Sequence, residues 1–72
     1  MARKTRVTNT VRTHRFNADQ MTQAELAARC DVTRQTIIAI EQGRFTPSLE
    51  TAFKIARAFR VPLDKVFEYP DD

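Results

Sequence analysis

Apolar and polar residues follow a helical period over most of this chain. Leu26, Ala27 and Cys30 make one apolar stripe, Ile37 and Ile40 a second, and Leu49, Ala52, Ile55, Ala56 and Phe59 a third. Each stripe follows a residue suited to start a helix. Thr22 precedes the first, with Glu25 three positions on to complete a capping box. Thr33 precedes the second and Ser48 the third. The middle helix is expected to run to about Gln42, where Gly43 can take the left-handed conformation that ends it. Arg44-Phe45-Thr46-Pro47 then reads as a loop, and a helix over Leu49 to about Phe59 follows. Before these lies a more weakly marked helix, expected over Val7 to about Phe16, with Val7, Val11 and Arg15 on one face and several Thr residues that lower its propensity. Asn17-Ala18-Asp19-Gln20 is the turn out of it. After Val61-Pro62 comes a short last helix with Leu63, Val66 and Phe67 on its buried face. The pattern predicts an all-α domain of five short helices over residues 7–69. Residues 1–6 are expected to form a flexible basic arm and residues 70–72 an acidic tail.

A chain of 72 residues has room for one small domain. Burying a stable core is hard at this size, so all-helical packing or dimerisation is an expected aid. No apolar run approaches the ~20 residues of a membrane span. The basic start MARKTRVTNTVRTHRF lacks the apolar centre of a secretion signal. A single cysteine, Cys30, rules out an internal disulfide and a cysteine-based zinc site. These observations lead to the expectation of a soluble cytoplasmic, nucleoid-associated protein without cofactors.

Charge is distributed unevenly. Arg3, Lys4, Arg6, Arg12 and Arg15 stand in residues 1–16 without an acid, whereas Asp64, Glu68, Asp71 and Asp72 face only Lys65 in residues 62–72. A basic front suits a polyanion partner, although a solvated terminus has the same composition. On a wheel of about 100° per residue, Ile37 and Ile40 point one way, with Glu41 at the edge of that face. The opposite side carries Arg34, Gln35, Ile38, Ala39 and Gln42. Arg matches guanine O6 and N7, Gln matches adenine N6 and N7, and small apolar groups touch thymine methyls. An ordinary amphipathic helix with one exposed isoleucine is the alternative.

The strings TQAELA, VTRQTI, IEQGRFTPSLETAFKIARAF and VPLDKVF, over about Val11 to Phe67, resemble the Cro/C1-type helix-turn-helix regulators, the xenobiotic-response-element group. The resemblance implies a lambda-repressor-like fold with the helix-turn-helix, helices two and three, at about residues 22–42. It implies base-reading positions at Arg34, Gln35, Ile38 and Ala39. Gln23, Thr33, Thr36, Gln42, Arg44 and Thr46 match phosphate-contacting positions, which set register while base contacts set specificity. Gln23 and Thr33 also serve as helix-start residues. A structural ion pair between Arg15 and Glu41 is implied as well. Gln20, Asp31 and Arg60 depart from the family by standing where a turn glycine is usual.

His14 has no metal-ligand cluster around it and reads as structural. Cys30 reads as a small buried hydrophobe, with redox sensing as the alternative. No nucleophile–base set, glycine-rich phosphate loop or paired carboxylate points to an enzyme. The arm Arg3-Lys4-Thr5-Arg6 suits the DNA backbone or a minor groove, and equally a disordered tail. A short helix reads few base pairs, so a homodimer on two half-sites is expected, with Phe53, Val66, Phe67 and Tyr69 as its surface. The leading expectation is a sequence-specific regulator of transcription, repressor-like, that binds double-stranded DNA through helix three. The alternative is an antitoxin or interaction module that also binds a partner protein. RNA fits less well, because the A-form major groove is too narrow for a helix.

Overall fold

The computed structural model describes residues 6–70. All but Arg6 of the expected arm, and Asp71 and Asp72 of the expected tail, lie outside the described residues. Four helices run in order: α1 (Val11–Asn17), α2 (Gln23–Cys30), α3 (Arg34–Glu41) and α4 (Leu49–Ala58). A single 3-10 turn follows at Leu63–Lys65, and a short antiparallel ribbon joins β1 (Thr8–Asn9) to β2 (Phe67–Glu68).

The caps form as their chemistry dictates. The Thr22 Oγ1 accepts from the Glu25 N–H at 3.0 Å, and the Glu25 carboxylate accepts from the Thr22 N–H at 2.8 Å. Thr33 caps α3 through the Thr36 N–H at 3.2 Å, and Ser48 caps α4 through the Thr51 N–H at 3.1 Å. Gly43, buried with φ 72°, ends α3 in the left-handed conformation at no Cβ cost.

The core gathers Leu26, Ala27 and Cys30 of α2, Ile37 and Ile40 of α3, and Ile55 and Ala56 of α4, with Val11, Met21 and Val66 closing it. Each helix buries one stripe against the others, the arrangement that lets so small a domain exclude water. Leu49, placed in the buried stripe by its spacing, is instead 67% exposed. It lies in the first turn of α4, beyond the reach of the core, and Ala52 is the first residue of the helix to be buried.

Two expectations about the ends are corrected. The first helix starts at Val11, not Val7, and a fifth helix does not form. Thr8, Thr10, Val66, Phe67 and Tyr69 are β-branched or aromatic and suit extended pairing better than helix. Thr8 pairs with Glu68 and Asn9 with Phe67. The Thr10 N–H donates to the Val66 carbonyl at 2.9 Å, and its hydroxyl to the Lys65 carbonyl at 2.9 Å. Backbone groups that a helix would have satisfied locally are satisfied across the molecule.

Among the described residues, four that are not glycine take left-handed backbone: Asp19 (φ 60°), Gln20 (φ 57°), Asp31 (φ 58°) and Arg60 (φ 59°). Three of them are the positions at which the sequence departs from a glycine pattern. Aspartate tolerates this region; glutamine and arginine are more strained there.

Candidate nucleic-acid interface

The helix-turn-helix is α2, the turn Asp31–Thr33 and α3. Asp31 closes α2 in the left-handed conformation, and the Val32 N–H returns to the Ala27 carbonyl at 3.0 Å. This turns the chain sharply enough for α3 to cross α2. Ile37 and Ile40 then face the core at 0% and 1% exposure, which commits the opposite side of α3 to the outside.

That side carries Arg34, Gln35 and Gln42, all exposed, with Ile38 and Ala39 half-buried between them. Thr33 is exposed and Thr36 half-buried; the cap engages both, and their hydroxyls lie 3.0 Å apart. Arg44 and Thr46 are exposed in the loop after α3. Every candidate base-reading residue thus lies on one helix face, and the loop candidates continue from its C-terminal end.

Glu41 is held at the back of this surface. Arg15 donates to both its oxygens, Nε to Oε2 at 2.6 Å and Nη2 to Oε1 at 3.1 Å. A third donor, the Gln23 Nε2, reaches Oε1 at 3.1 Å. The paired side chains are 13% and 8% exposed. Arg15 also fixes the α1–α2 turn, its Nη1 donating to the Met21 carbonyl at 2.9 Å while its own carbonyl accepts from the Met21 N–H at 2.9 Å. The guanidinium therefore ties α1 to the α1–α2 turn and to α3, and Gln23 adds α2 through the same carboxylate. Arg15 also neutralises that carboxylate, which lines the groove beside Arg34, Ile38 and Gln42.

An open groove of about 630 Å³ lies where α1, α2 and α3 meet, and Arg34, Ile38 and Gln42 form its α3 wall. Its other wall includes Arg12, Phe16 and Gln20, none of which is among the sequence-predicted contact residues, although Arg12 belongs to the basic front and Gln20 to the turn positions. Arg12 and Phe16 stand one turn apart on α1, a spacing that brings side chains together on any helix. Their place beside α3 is a matter of tertiary packing. The link from Gln23 to Glu41 was also not anticipated. Asn9 is a further surprise: its amide donates to the Ile40 carbonyl at 2.9 Å, and its side-chain oxygen accepts from the Val11 N–H at 3.1 Å. It ties the end of α3 to the start of α1.

The expected dimer surface is only partly exposed. Phe53 and Tyr69 are 53% and 68% exposed, but Val66 is 1% exposed and belongs to the core, where no second subunit reaches it. Phe67 is half-buried against the same core. Val66 turns inward because its carbonyl holds Thr10 and the following residues pair with β1. Phe53 instead lies in a second open groove of about 1040 Å³, shared with Leu49, Val61, Pro62 and Leu63 and lined also by Glu50, Lys54, Arg57 and Arg60.

His14 stacks on Phe59 with ring centroids 5.3 Å apart and places Nδ1 3.0 Å from the Thr10 carbonyl, so it joins α1 to the end of α4. Cys30 is buried, and burial pushes its thiol pKa up, with Lys54 opposing weakly. That disfavours the reactive thiolate. Among the described residues no cluster of His, Cys, Asp and Glu could hold a metal, and no helix is long and apolar enough to cross a membrane.

Comparison with known proteins agrees with this geometry. A family model described as helix-turn-helix matches residues 17–66. An HTH-type transcriptional regulator of Methanocaldococcus jannaschii is 54% identical over 52 residues, 72% of this chain and 79% of that protein. One from Methanothermobacter thermautotrophicus is 49% identical over 63 residues, 86% of this chain and 90% of that protein. Another, from Archaeoglobus fulgidus, is 44% identical over 52 residues, 72% of this chain and 73% of that protein. With a buried face that fixes α3 and a polar face that it presents, this chain belongs to the Cro/C1-type helix-turn-helix family of transcriptional regulators.

Proposed function

We propose that the protein is a sequence-specific, repressor-like regulator that inserts α3 into the major groove of double-stranded DNA. The observation that carries this reading is the composition of the outer face of α3. Exposed Arg34 and Gln35 flank half-buried Ile38 and Ala39, a combination poorly suited to water and well suited to base edges and thymine methyls. Gln23, Thr33, Thr36, Gln42, Arg44 and Thr46 surround that face and supply backbone contacts that fix its register. Arg15 and Glu41 serve structure instead, since each is engaged by the other.

The protein acts as a homodimer in this reading. Two copies whose α3 helices enter successive turns on one face of the duplex would read half-sites about 34–36 Å apart. The groove at Leu49 and Phe53, with exposed Tyr69 as a second aromatic, is the surface we assign to the partner copy. An antitoxin-like role would instead put a different protein in that groove. A single mass of twice the chain, alone and on DNA, supports the homodimer; a monomer that stays monomeric on its operator overturns it.

The reading face is tested by selecting duplexes from a random library and then measuring Gln35→Ala on the selected site. The expected result is a palindromic site, with loss of discrimination of about 1–3 kcal/mol at one base pair per half-site. Equal weakening on every sequence would make Gln35 a backbone contact.

A further inference from the structure

We infer that Arg12 and Phe16 form a seat for one phosphodiester–deoxyribose unit of the bound DNA strand, on the flank of α3 opposite its following loop. The inference rests on the proposed insertion of α3 into the major groove and extends the interface to α1.

Three observations converge on this seat. Phe16 is 56% exposed although it lines a groove whose other members are mostly polar. An aromatic ring left in water on a seven-residue helix contributes nothing to the core. The Arg12 guanidinium lies 5.6 Å from the centroid of that ring, close enough for a cation–π contact that restrains a long, flexible side chain. The charge around the groove is also one-sided. Arg12, Arg15 and Arg34 line it with a single carboxylate, Glu41, and that one is already bonded by Arg15 and Gln23.

A cation held over an exposed ring, in a concave cationic surface continuous with Arg34 and Ile38, matches the chemistry of a nucleic-acid backbone. The phosphate oxygens accept from the guanidinium, and the sugar covers the ring face or edge. Free anions offer only the first half of that match. The seat positions the strand and reads no base, because backbone contacts carry no sequence information.

The test measures binding of the full chain to its selected duplex across a salt series. Arg12→Gln should weaken binding equally on all sequences and lower the salt slope by about 1. Over a fourfold rise in salt the wild type should then lose roughly 4-fold more affinity than the variant. Phe16→Ala should weaken binding alone but add little in the Arg12→Gln background, since both act through one seat. Both residues are exposed, so melting temperatures should stay near that of the wild type.

An arm with unchanged protein uses duplexes carrying a neutral methylphosphonate at successive flanking positions. One position should reproduce the Arg12→Gln loss in the wild type and have no effect on that variant. The inference is overturned if Arg12→Gln keeps the wild-type affinity and slope, if its loss depends on base sequence, or if no neutralised phosphate distinguishes the two proteins. A wild type that selects no duplex at all would overturn the major-groove reading itself. Wild-type binding with an indistinguishable Arg12→Gln overturns the seat alone.

Discussion

Two open grooves among the described residues are built differently. The one where α1, α2 and α3 meet is lined by Arg12, Arg15, Arg34, Gln20, Gln23 and Gln42 and is cross-braced around the Glu41 carboxylate. The one along α4 is lined by Leu49, Phe53, Ala56, Val61, Pro62 and Leu63, together with Glu50, Lys54, Arg57 and Arg60. A braced polar surface holds donors at fixed positions, which is what recognition of a charged, regularly spaced strand requires. An apolar groove gains by covering area and asks little of direction. The contrast teaches that one small fold can carry two chemically different grooves, and that the polar one is braced by the bonds that Arg15 and Gln23 make to Glu41.

The largest expected effect breaks the brace. Arg15→Met leaves Glu41 partly buried without its cation, and should cost about 3–5 kcal/mol of stability, read as a lower denaturant midpoint. A midpoint and slope equal to wild type would mean that the pair contributes no net stabilisation.

The next effect separates the two grooves. Phe53→Ser should shift the mass from dimer to monomer and weaken binding to a two-half-site duplex on the order of 100-fold, leaving half-site binding and its salt slope unchanged. Half-site binding that fell equally would place Phe53 in the DNA interface instead.

Arg60 sharpens the comparison at the rim of the apolar groove. Its φ of 59° strains a side-chain-bearing residue, so Arg60→Gly should raise stability by about 0.5–1 kcal/mol in thermal unfolding. A loss of stability would show that its side chain contributes more than its backbone costs.

The smallest effect lies at the start of α2, beside the polar groove. The Thr22 backbone N–H donates to Glu25 and, with the Thr22 side chain, holds its carboxyl pKa below the usual value. A lowered folded-state pKa stabilises above the ordinary carboxylate range and loses that contribution as pH falls through the folded value. Wild type should therefore lose stability in acid relative to Glu25→Gln, whose amide can still cap. Parallel pH profiles would exclude the capping box as a source of acid sensitivity.

Legibility followed the range of the interactions. The starts of α2, α3 and α4 were readable because a cap and its partner lie three residues apart. The outer face of α3 was readable because 3.6 residues per turn fix which side chains share a side. Resemblance to a family pointed to Arg15 and Glu41, and the structure brings them into a bidentate pair. The β ribbon was missed because Thr8 and Glu68 stand at opposite ends of the chain, and residues 63–68 alone fit a helical spacing equally well. Phe16 enters the sequence reading only as the end of a weak helix, because its exposure beside α3 depends on where the neighbouring helices pack.

By itself the sequence determined the helix-turn-helix, its caps and the residues displayed by α3, all of which depend on contacts within one or two turns. Tertiary structure decided the rest. It closed the ends into a ribbon, kept Val66 in the core and so out of the expected dimer surface, and left Leu49 and Phe53 open along α4. It also set Arg12 and Phe16 beside α3. The physical reason is that a helical period fixes direction around one axis, whereas which faces meet depends on where the other axes lie.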